Sequence, residues 1–565
     1  MHGIHDLHDG DTMAEQWSSG SAADSVDQAL APAGLAHAGA TAFSALRADG
    51  ACARLTYAQV QALSDAFASW LLGNPLLRAG DVVAIQLPNL LHYPVAVLGA
   101  WKAAMVVSNV NPLYTARELQ AQLENCRAKV LVAGEPALAG ATAVAQALGV
   151  QLLVAGAHDF FVAAPAGASA APAPGSFVAA LEQGRAPGLR TGRRSRVALY
   201  QYTGGTTGRS KGAALTHANL LAVLRMTGDF MESHGIGLRP SDTVLTVLPM
   251  YHIFAFVMNF LSFYRAGAHA VLMASPRPLA NLRPAFEGFP ITWMSGVDTL
   301  YAGLLAEPWF RAHRHTLRYA MSGGMALRPA TGEAWRASVC PVLEGYGLTE
   351  TSCIVAMNPP AEPYRAGSVG LALPGSEVMA VDADGRALPA GQPGELLVRG
   401  SHVMQGYLDA PAETQGALDP GGWLRTGDIA VIGEDGYIRI VDRKKDMVLV
   451  SGFNVYPNEV EDAMAEHPAV AEVAVIGVPD EATGEALQAF VVARDPAPGA
   501  EELIAHCRAR LTAYKVPKRI RFVPALPKSP VGKVLRAQLR AAPWQTDLQT
   551  DPPAPLPKHP TAQPE

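Results

Sequence analysis

The stretch that most constrains this chain is a short apolar run feeding a glycine- and threonine-rich loop. Val197-Ala198-Leu199-Tyr200-Gln201-Tyr202 reads as a strand, and Thr203-Gly204-Gly205-Thr206-Thr207-Gly208-Arg209-Ser210-Lys211-Gly212 follows it. Glycines let the backbone approach an anion and turn its N–H groups toward it. The hydroxyls of Thr203, Thr206 and Thr207 add donors, and Lys211 adds positive charge. The loop therefore suits a polyphosphate. It is not a Walker A loop, which requires Gly-Lys-Ser/Thr after Gly and four further residues. At that spacing Gly204 meets Arg209 and Gly205 meets Ser210.

Further along stand Glu344-Gly345-Tyr346-Gly347-Leu348-Thr349-Glu350, Arg425-Thr426-Gly427-Asp428, Asp442-Arg443-Lys444-Lys445-Asp446, Ser451-Gly452-Phe453 and Pro530-Val531-Gly532-Lys533. In this order the motifs resemble the adenylate-forming superfamily of acyl-CoA synthetases, luciferases and nonribosomal adenylation domains. Within it the chain is most similar to bacterial long-chain fatty acid–CoA ligases, from about Ala40 to Arg540.

At 565 residues the chain exceeds one ordinary core. Alternating β and α patterns from about Thr56 to Ala274 predict an α/β fold of stacked sheets flanked by helices. Asp81–Leu87, Lys129–Val132 and Gln151–Ala155 read as strands, and Pro94–Val106 as a helix. From Val441 the pattern changes to short strands near Glu472–Val478 and Leu487–Val492, then a helix over Glu501–Leu511. This is a small α+β domain, mobile by resemblance. The expected division is a disordered extension over 1–40, an AMP-binding domain over 41–444, a lid domain over 445–545 and a disordered tail over 546–565. His2, His5 and His8 leave a metal-binding tail as the alternative for the extension. Ala163–Gly175 reads as a low-complexity surface loop.

A net charge of −6 argues against nucleic acid as a partner. The scattered Cys52, Cys126, Cys340, Cys353 and Cys507 have no zinc spacing and suit a reducing cytoplasm. No apolar run is long enough for a membrane span. Arg185, Arg190, Arg193, Arg194 and Arg196 read as a solvated basic loop, with anionic lipid headgroups as the alternative contact.

The resemblance implies ATP-dependent joining of a medium- to long-chain fatty acid to coenzyme A through an acyl adenylate, with AMP and pyrophosphate released. Aryl or other carboxylic acid–CoA ligation and fatty acyl-AMP ligation are the alternatives. It implies that Thr203, Gly204, Gly205, Thr206, Thr207, Gly208 and Lys211 hold the phosphates, and that Thr203 and Glu350 hold Mg²⁺. Gly323, Gly324, Gly345, Tyr346, Gly347 and Thr349 would line the adenine site, with Asp428 and Arg443 at the ribose. Lys533 would bridge the substrate carboxylate and the α-phosphate, and Lys445 would be the hinge. Ser451, Gly452 and Phe453 would line the coenzyme A tunnel, with Lys515 and Lys518 as phosphate contacts. His252, Phe254 and Phe256 would wall the acyl pocket. By the same resemblance the enzyme is cytoplasmic; peripheral contact with the inner face of the membrane and a homodimer stay open.

Overall fold

The computed structural model describes residues 24–161, 175–184, 196–203, 210–360, 364–451, 453–481, 483–529 and 532–541. The phosphate-loop residues 204–209, most of the basic and Ala/Pro-rich stretches, Gly452 and both chain ends lie outside them. The fold divides into two compact units, 1–378 with 397–425, and 379–396 with 426–565.

The first unit carries two large sheets. One runs in the order Gly406–Tyr407, Lys211–Thr216, Val197–Thr203, Val106–Asn109, Val82–Gln86, Ala128–Gly134, Gln151–Ala155. Its strands from Val197–Thr203 onward are parallel, and Lys211–Thr216 and Gly406–Tyr407 add antiparallel at one edge. The strands predicted at 81–87, 129–132 and 151–155 all belong to it. Val82–Gln86 is buried along its whole length, as a central parallel strand covered on both faces must be.

The second sheet centres on the parallel strands Thr41–Leu46, His269–Met273, Thr243–Thr246, Trp293–Gly296, Tyr319–Ser322 and Val342–Tyr346. One residue locks the two sheets together. Asn89, in the loop after Val82–Gln86, donates from Nδ2 to the carbonyls of Thr246, Leu248 and Met273, and its Oδ1 accepts the Met250 N–H at 2.8 Å. Every polar atom of this buried amide side chain is thereby satisfied.

From sequence the chain ahead of residue 40 is expected to be disordered; the structure corrects this from Val26. Val26–Ala36 is a helix that buries Val26, Leu30 and Ala33 along one face, against the helices Tyr57–Gly73 and His217–Ser233. Its first N–H groups include that of Val26, which donates to His217 Nδ1 at 3.2 Å. The helix is hard to read from sequence because Ala, Gly and Pro dilute its apolar spacing.

Most of a sheet ordered Glu377–Val381, Pro393–Arg399, Leu424–Ile432, Ile438–Arg443 belongs to the second unit. This unit continues into the predicted α+β part, whose sheet pairs Val470–Asp480 with Gly484–Ala493. The helices Pro457–Ala465 and Ala500–Arg508 cover a core of Val460, Met464, Leu487, Val491 and Leu503. No helix among the described residues is long and apolar enough to cross a membrane.

Candidate active site

In the first unit, the hairpin Val197–Thr203/Lys211–Thr216 pins both ends of the glycine-rich loop. Thr203 stands directly opposite Lys211, and Ser210 Oγ donates to the Thr203 carbonyl. The turn Thr349–Thr351 packs against both strands and brings Glu350 to the same place. Tyr407, on the adjoining edge strand, joins these parts. Its hydroxyl donates to Glu350 Oε1 at 2.7 Å, and Lys211 Nζ lies 5.1 Å from its ring centroid.

The backbone just after Glu350 is strained. Ser352 and Cys353 have φ of 55° and 125°, in the region that disfavours side chains. Hydrogen bonds hold the turn: Ser352 Oγ to the His402 carbonyl at 2.8 Å, and Met404 N–H to the Glu350 carbonyl at 2.8 Å. Gly347 is required by close approach, since a Cβ there would sit 1.9 Å from the Cys353 carbonyl oxygen.

Ser322 and Glu344 are neighbours in parallel strands, which sets Gly323 beside Gly345. A Cβ on Gly323 would lie 3.3 Å from the Phe254 ring and 3.4 Å from the Gly345 carbonyl oxygen. The result is a floor free of side chains with an aromatic edge, a shape that accepts a flat ring. Gly324 has φ of +82° and Tyr346 pairs with Ala356. Behind the floor the Tyr364 hydroxyl bonds Glu344 Oε1, while burial lifts the Glu344 carboxyl to about 7.

A buried amide chain fixes the turn bearing His252. The Tyr93 hydroxyl lies 2.6 Å from Asn109 Oδ1 and 2.8 Å from the Met250 carbonyl. Asn109 Nδ2 donates to Gln201 Oε1 at 2.9 Å, and Gln201 Nε2 donates to the Tyr251 carbonyl at 3.0 Å. Gln201 sits on the phosphate-loop strand, so that strand and the His252 turn are held in one register. The helix that follows, Ala255–Ser262, is a π-helix, a form common at functional sites. Phe254 faces Gly323, whereas the Phe256 ring is taken up by packing edge-on to Trp101 and Phe260, at 5.9 and 5.8 Å between centroids. Asn259, buried on this helix, is satisfied by Thr246 and Ser295.

In the second unit Asp428 and Arg443 face each other in the strand pair, with Arg443 Nε 3.2 Å from Asp428 Oδ1. Asp428 is 3% exposed, and its N–H donates to Thr426 Oγ1. Lys533 is presented by a tight turn in which its N–H donates to Ser529 Oγ and its carbonyl accepts the Ser529 N–H. Gly532 makes the turn with φ of +85°. Burial, then the positive charge of Arg443, pushes the Lys533 ammonium down to about 8; Asp428 opposes this, and Lys445 and Arg536 reinforce it. Lys445 is likewise held below the ordinary lysine range, by burial and then by Arg443.

An ion-pair lattice lies beside both lysines. Arg536 Nη2 donates to both Glu461 oxygens and to Asn458 Oδ1, and Arg540 bonds Asp446 at 2.7 Å. Asp442 accepts the N–H groups of Asn458 and Arg443. The turn 443–446 is thus tied to both flanking helices. Of the residues assigned to coenzyme A, Ser451 has φ of 52° and Phe453 is 55% exposed. The Phe453 ring stacks on Tyr514. Lys515 and Lys518 are paired with Glu459 and Asp480.

Residues 33–408 match the model of the AMP-binding enzyme family, and residues 459–533 match the AMP-binding enzyme C-terminal domain. The chain belongs to the AMP-binding enzyme family. Among curated members it is 42% identical over 511 residues to a long-chain-fatty-acid–CoA ligase of Escherichia coli O6:H1, covering 86% of this chain and 90% of that one. It is 35% identical over 506 residues to the 3-[(3aS,4S,7aS)-7a-methyl-1,5-dioxo-octahydro-1H-inden-4-yl]propanoyl:CoA ligase of Rhodococcus jostii, covering 86% and 93%. The solved anthranilate CoA ligase AuaEII, in complex with anthranoyl-AMP, superposes with a TM-score of 0.81 at 27% identity, covering 92% and 96%. The expected α/β architecture, a large sheet-and-helix part and a smaller C-terminal domain, is that of this AMP-binding fold.

Three residues that contribute to this AMP-binding architecture escape motif reading. Tyr407 contacts two candidate site residues, Gln201 ties the phosphate strand to the His252 turn, and Arg536 ties the last helix to Glu461 and Asn458 beside Lys533. Gln201 alone left a sequence signal, as a polar residue inside an otherwise apolar strand.

Proposed function

We propose that this protein joins a medium- to long-chain fatty acid to coenzyme A at the expense of ATP. The carboxylate attacks the α-phosphorus of ATP, forming acyl-AMP and expelling pyrophosphate. The coenzyme A thiol then attacks the acyl carbonyl, losing its proton, and AMP leaves with the former carboxylate oxygen. Supporting this reading above all is the meeting of Lys211, Thr203 and Glu350 at one strand end, beside the bare Gly323–Gly345 floor.

Lys211 would hold the leaving pyrophosphate, and the Gly323–Gly345 floor with Tyr346 the adenine. Asp428 has the acceptor oxygens for both ribose hydroxyls. Lys533 would offset the repulsion between the two anions that must meet, a charge worth most where water is excluded. Ser451, Gly452 and Phe453 would serve the thiol in the second step, with Lys445 as the hinge between the two states.

Glu350 and Thr203 suit Mg²⁺ because both offer oxygen, and Tyr407 engages Oε1 of the carboxylate. No three His, Cys, Asp or Glu gather as a metal site among the described residues, so phosphate oxygens would complete the shell. Bound with the nucleotide, Mg²⁺ would neutralise phosphate charge.

The helix Ala255–Ser262 beside His252 carries no charged group, which suits an aliphatic tail and not an amino acid. The aryl and ring-bearing propanoyl groups named for related ligases favour a second reading, a ligase for another apolar acid. Assays with ATP, coenzyme A and acids of graded length, alongside benzoate, decide it. Thioester and AMP rising with chain length support the fatty acid; a maximum on benzoate refutes it. Acyl-AMP that accumulates despite coenzyme A indicates a fatty acyl-AMP ligase instead.

A further inference from the structure

We infer that Tyr407 is a positioning residue that keeps Lys211 and Glu350 separately engaged and ready for a magnesium-bound polyphosphate. The inference rests on the assignment of Glu350 as the metal carboxylate. A lysine and a glutamate placed at one strand end would ordinarily collapse into an ion pair, and each would then have to be freed before binding an anion or a cation. Among the described residues no ion pair joins Lys211 to Glu350. Tyr407 stands at both instead, with its hydroxyl on Glu350 Oε1 at 2.7 Å and its ring face 5.1 Å from Lys211 Nζ.

Both contacts suit a holding role. The hydroxyl occupies one carboxylate oxygen and leaves Oε2 to a cation. The ring attracts an ammonium without neutralising it, a contact of only about 0.5–1 kcal/mol when partly exposed. A phosphate can displace it at little cost.

The backbone fixes the phenol in this place. Gly406 and Tyr407 pair with Ala214 and Ala213 on the lysine's own strand, and the Leu408 N–H donates to the Gly212 carbonyl at 2.8 Å. The Tyr407 N–H donates to Thr414 Oγ1 at 2.9 Å, and Glu350 is tied to the same segment through Met404. A Cβ on Gly406 would meet Thr414 Cγ2 at 2.8 Å, so the bend before the tyrosine is sterically set. Lysine, carboxylate and phenol therefore move as one body.

Calorimetric titration of ATP into Tyr407→Phe, Tyr407→Leu and Glu350→Gln, with and without Mg²⁺, separates the contacts. Tyr407→Phe keeps the ring and should bind metal-free ATP normally. Its Mg²⁺ requirement for tight ATP binding should rise roughly tenfold, the value of one hydrogen bond to a charged group. Tyr407→Leu should also weaken metal-free ATP binding several-fold. Tyr407→Phe added to Glu350→Gln should change the Mg²⁺ requirement no further. An unchanged requirement in Tyr407→Phe, beside a raised one in Glu350→Gln, overturns the inference alone. An unchanged requirement in Glu350→Gln overturns the metal assignment beneath it. Equal loss of metal-free binding in Phe and Leu variants, with lowered melting temperatures, makes Tyr407 a packing residue and also overturns the inference.

Discussion

Replacing Lys533 should cost the adenylation step while stabilising the fold, and the second effect follows from its depressed ammonium. Burial and the cations Arg443, Lys445 and Arg536 lower this ammonium from 10.5 to about 8. Between those values the unfolded chain holds a proton that the folded chain has lost. The penalty is therefore fully present below pH 8 and disappears as pH rises toward 10.5. At 1.36 kcal/mol per pH unit it amounts to at most about 3 kcal/mol. Partial exposure of the side chain reduces this to about 1–2 kcal/mol. Lys533→Met should accordingly raise the melting temperature by a few degrees at pH 7. In ATP–pyrophosphate exchange the same variant should fall by on the order of 10²–10³, the loss typical of one transition-state electrostatic contact. Thioester formation from supplied acyl-AMP should largely survive. For the wild type, kcat/KM for ATP reports the free enzyme and should decline above about pH 8. Lys533→Arg keeps its charge at all accessible pH and should lose that alkaline limb. An unchanged limb in Lys533→Arg, or a lower melting temperature in Lys533→Met, would refute the reasoning.

Asp428→Asn should raise KM for ATP about tenfold or more, because a neutral amide cannot accept from both ribose hydroxyls as a carboxylate does; an unchanged KM with intact stability rejects the ribose role. Burial raises Glu344 from 4.5 to about 7, so the folded state binds the extra proton in that window and stability should fall as pH rises from 4.5 to 7. Glu344→Gln should flatten that slope, measured by urea unfolding at pH 5 and pH 8. Gly347→Ala should destabilise by more than about 2 kcal/mol, since its Cβ meets the Cys353 carbonyl at 1.9 Å. Gly345→Ala, whose nearest neighbour is the Ile354 side chain at 3.2 Å, should fold nearly normally, as thermal melts of the pair would show.

The architecture was legible where a local pattern reports burial. Val82–Gln86 is mostly apolar because a covered parallel strand has two apolar faces, and its sequence says so. Gly347 also announced itself, because close approach to the Cys353 carbonyl leaves no room for a side chain there. What stayed hidden depends on register between distant segments. Tyr407 follows Gly406 in an unremarkable turn, and its importance comes from pairing with a strand almost two hundred residues earlier. The Arg536–Glu461 pair is similar: each residue alone reads as a solvated charge, and packing of the last helix makes them a buried couple. The π-helix Ala255–Ser262 was visible only as a short apolar run, which periodicity cannot assign between strand and helix.

Electrostatics gives the two units a common design principle. A protein seeking stability alone would pair every cation at such positions with a carboxylate. Here Lys211 rests against an aromatic face, and Lys533 is held among other cations with its charge opposed by burial. Arg536, by contrast, donates from Nη2 to both oxygens of Glu461 and supports the structure. The separation is informative: Arg536 is ion-paired within its own unit, whereas among the described residues no ion pair reaches either lysine proposed for chemistry. Under the proposed function each would be answered by its own anion, Lys211 by the leaving pyrophosphate and Lys533 by the α-phosphate and the carboxylate. Neither lysine would then have to break an ion pair seen among the described residues before the reaction begins.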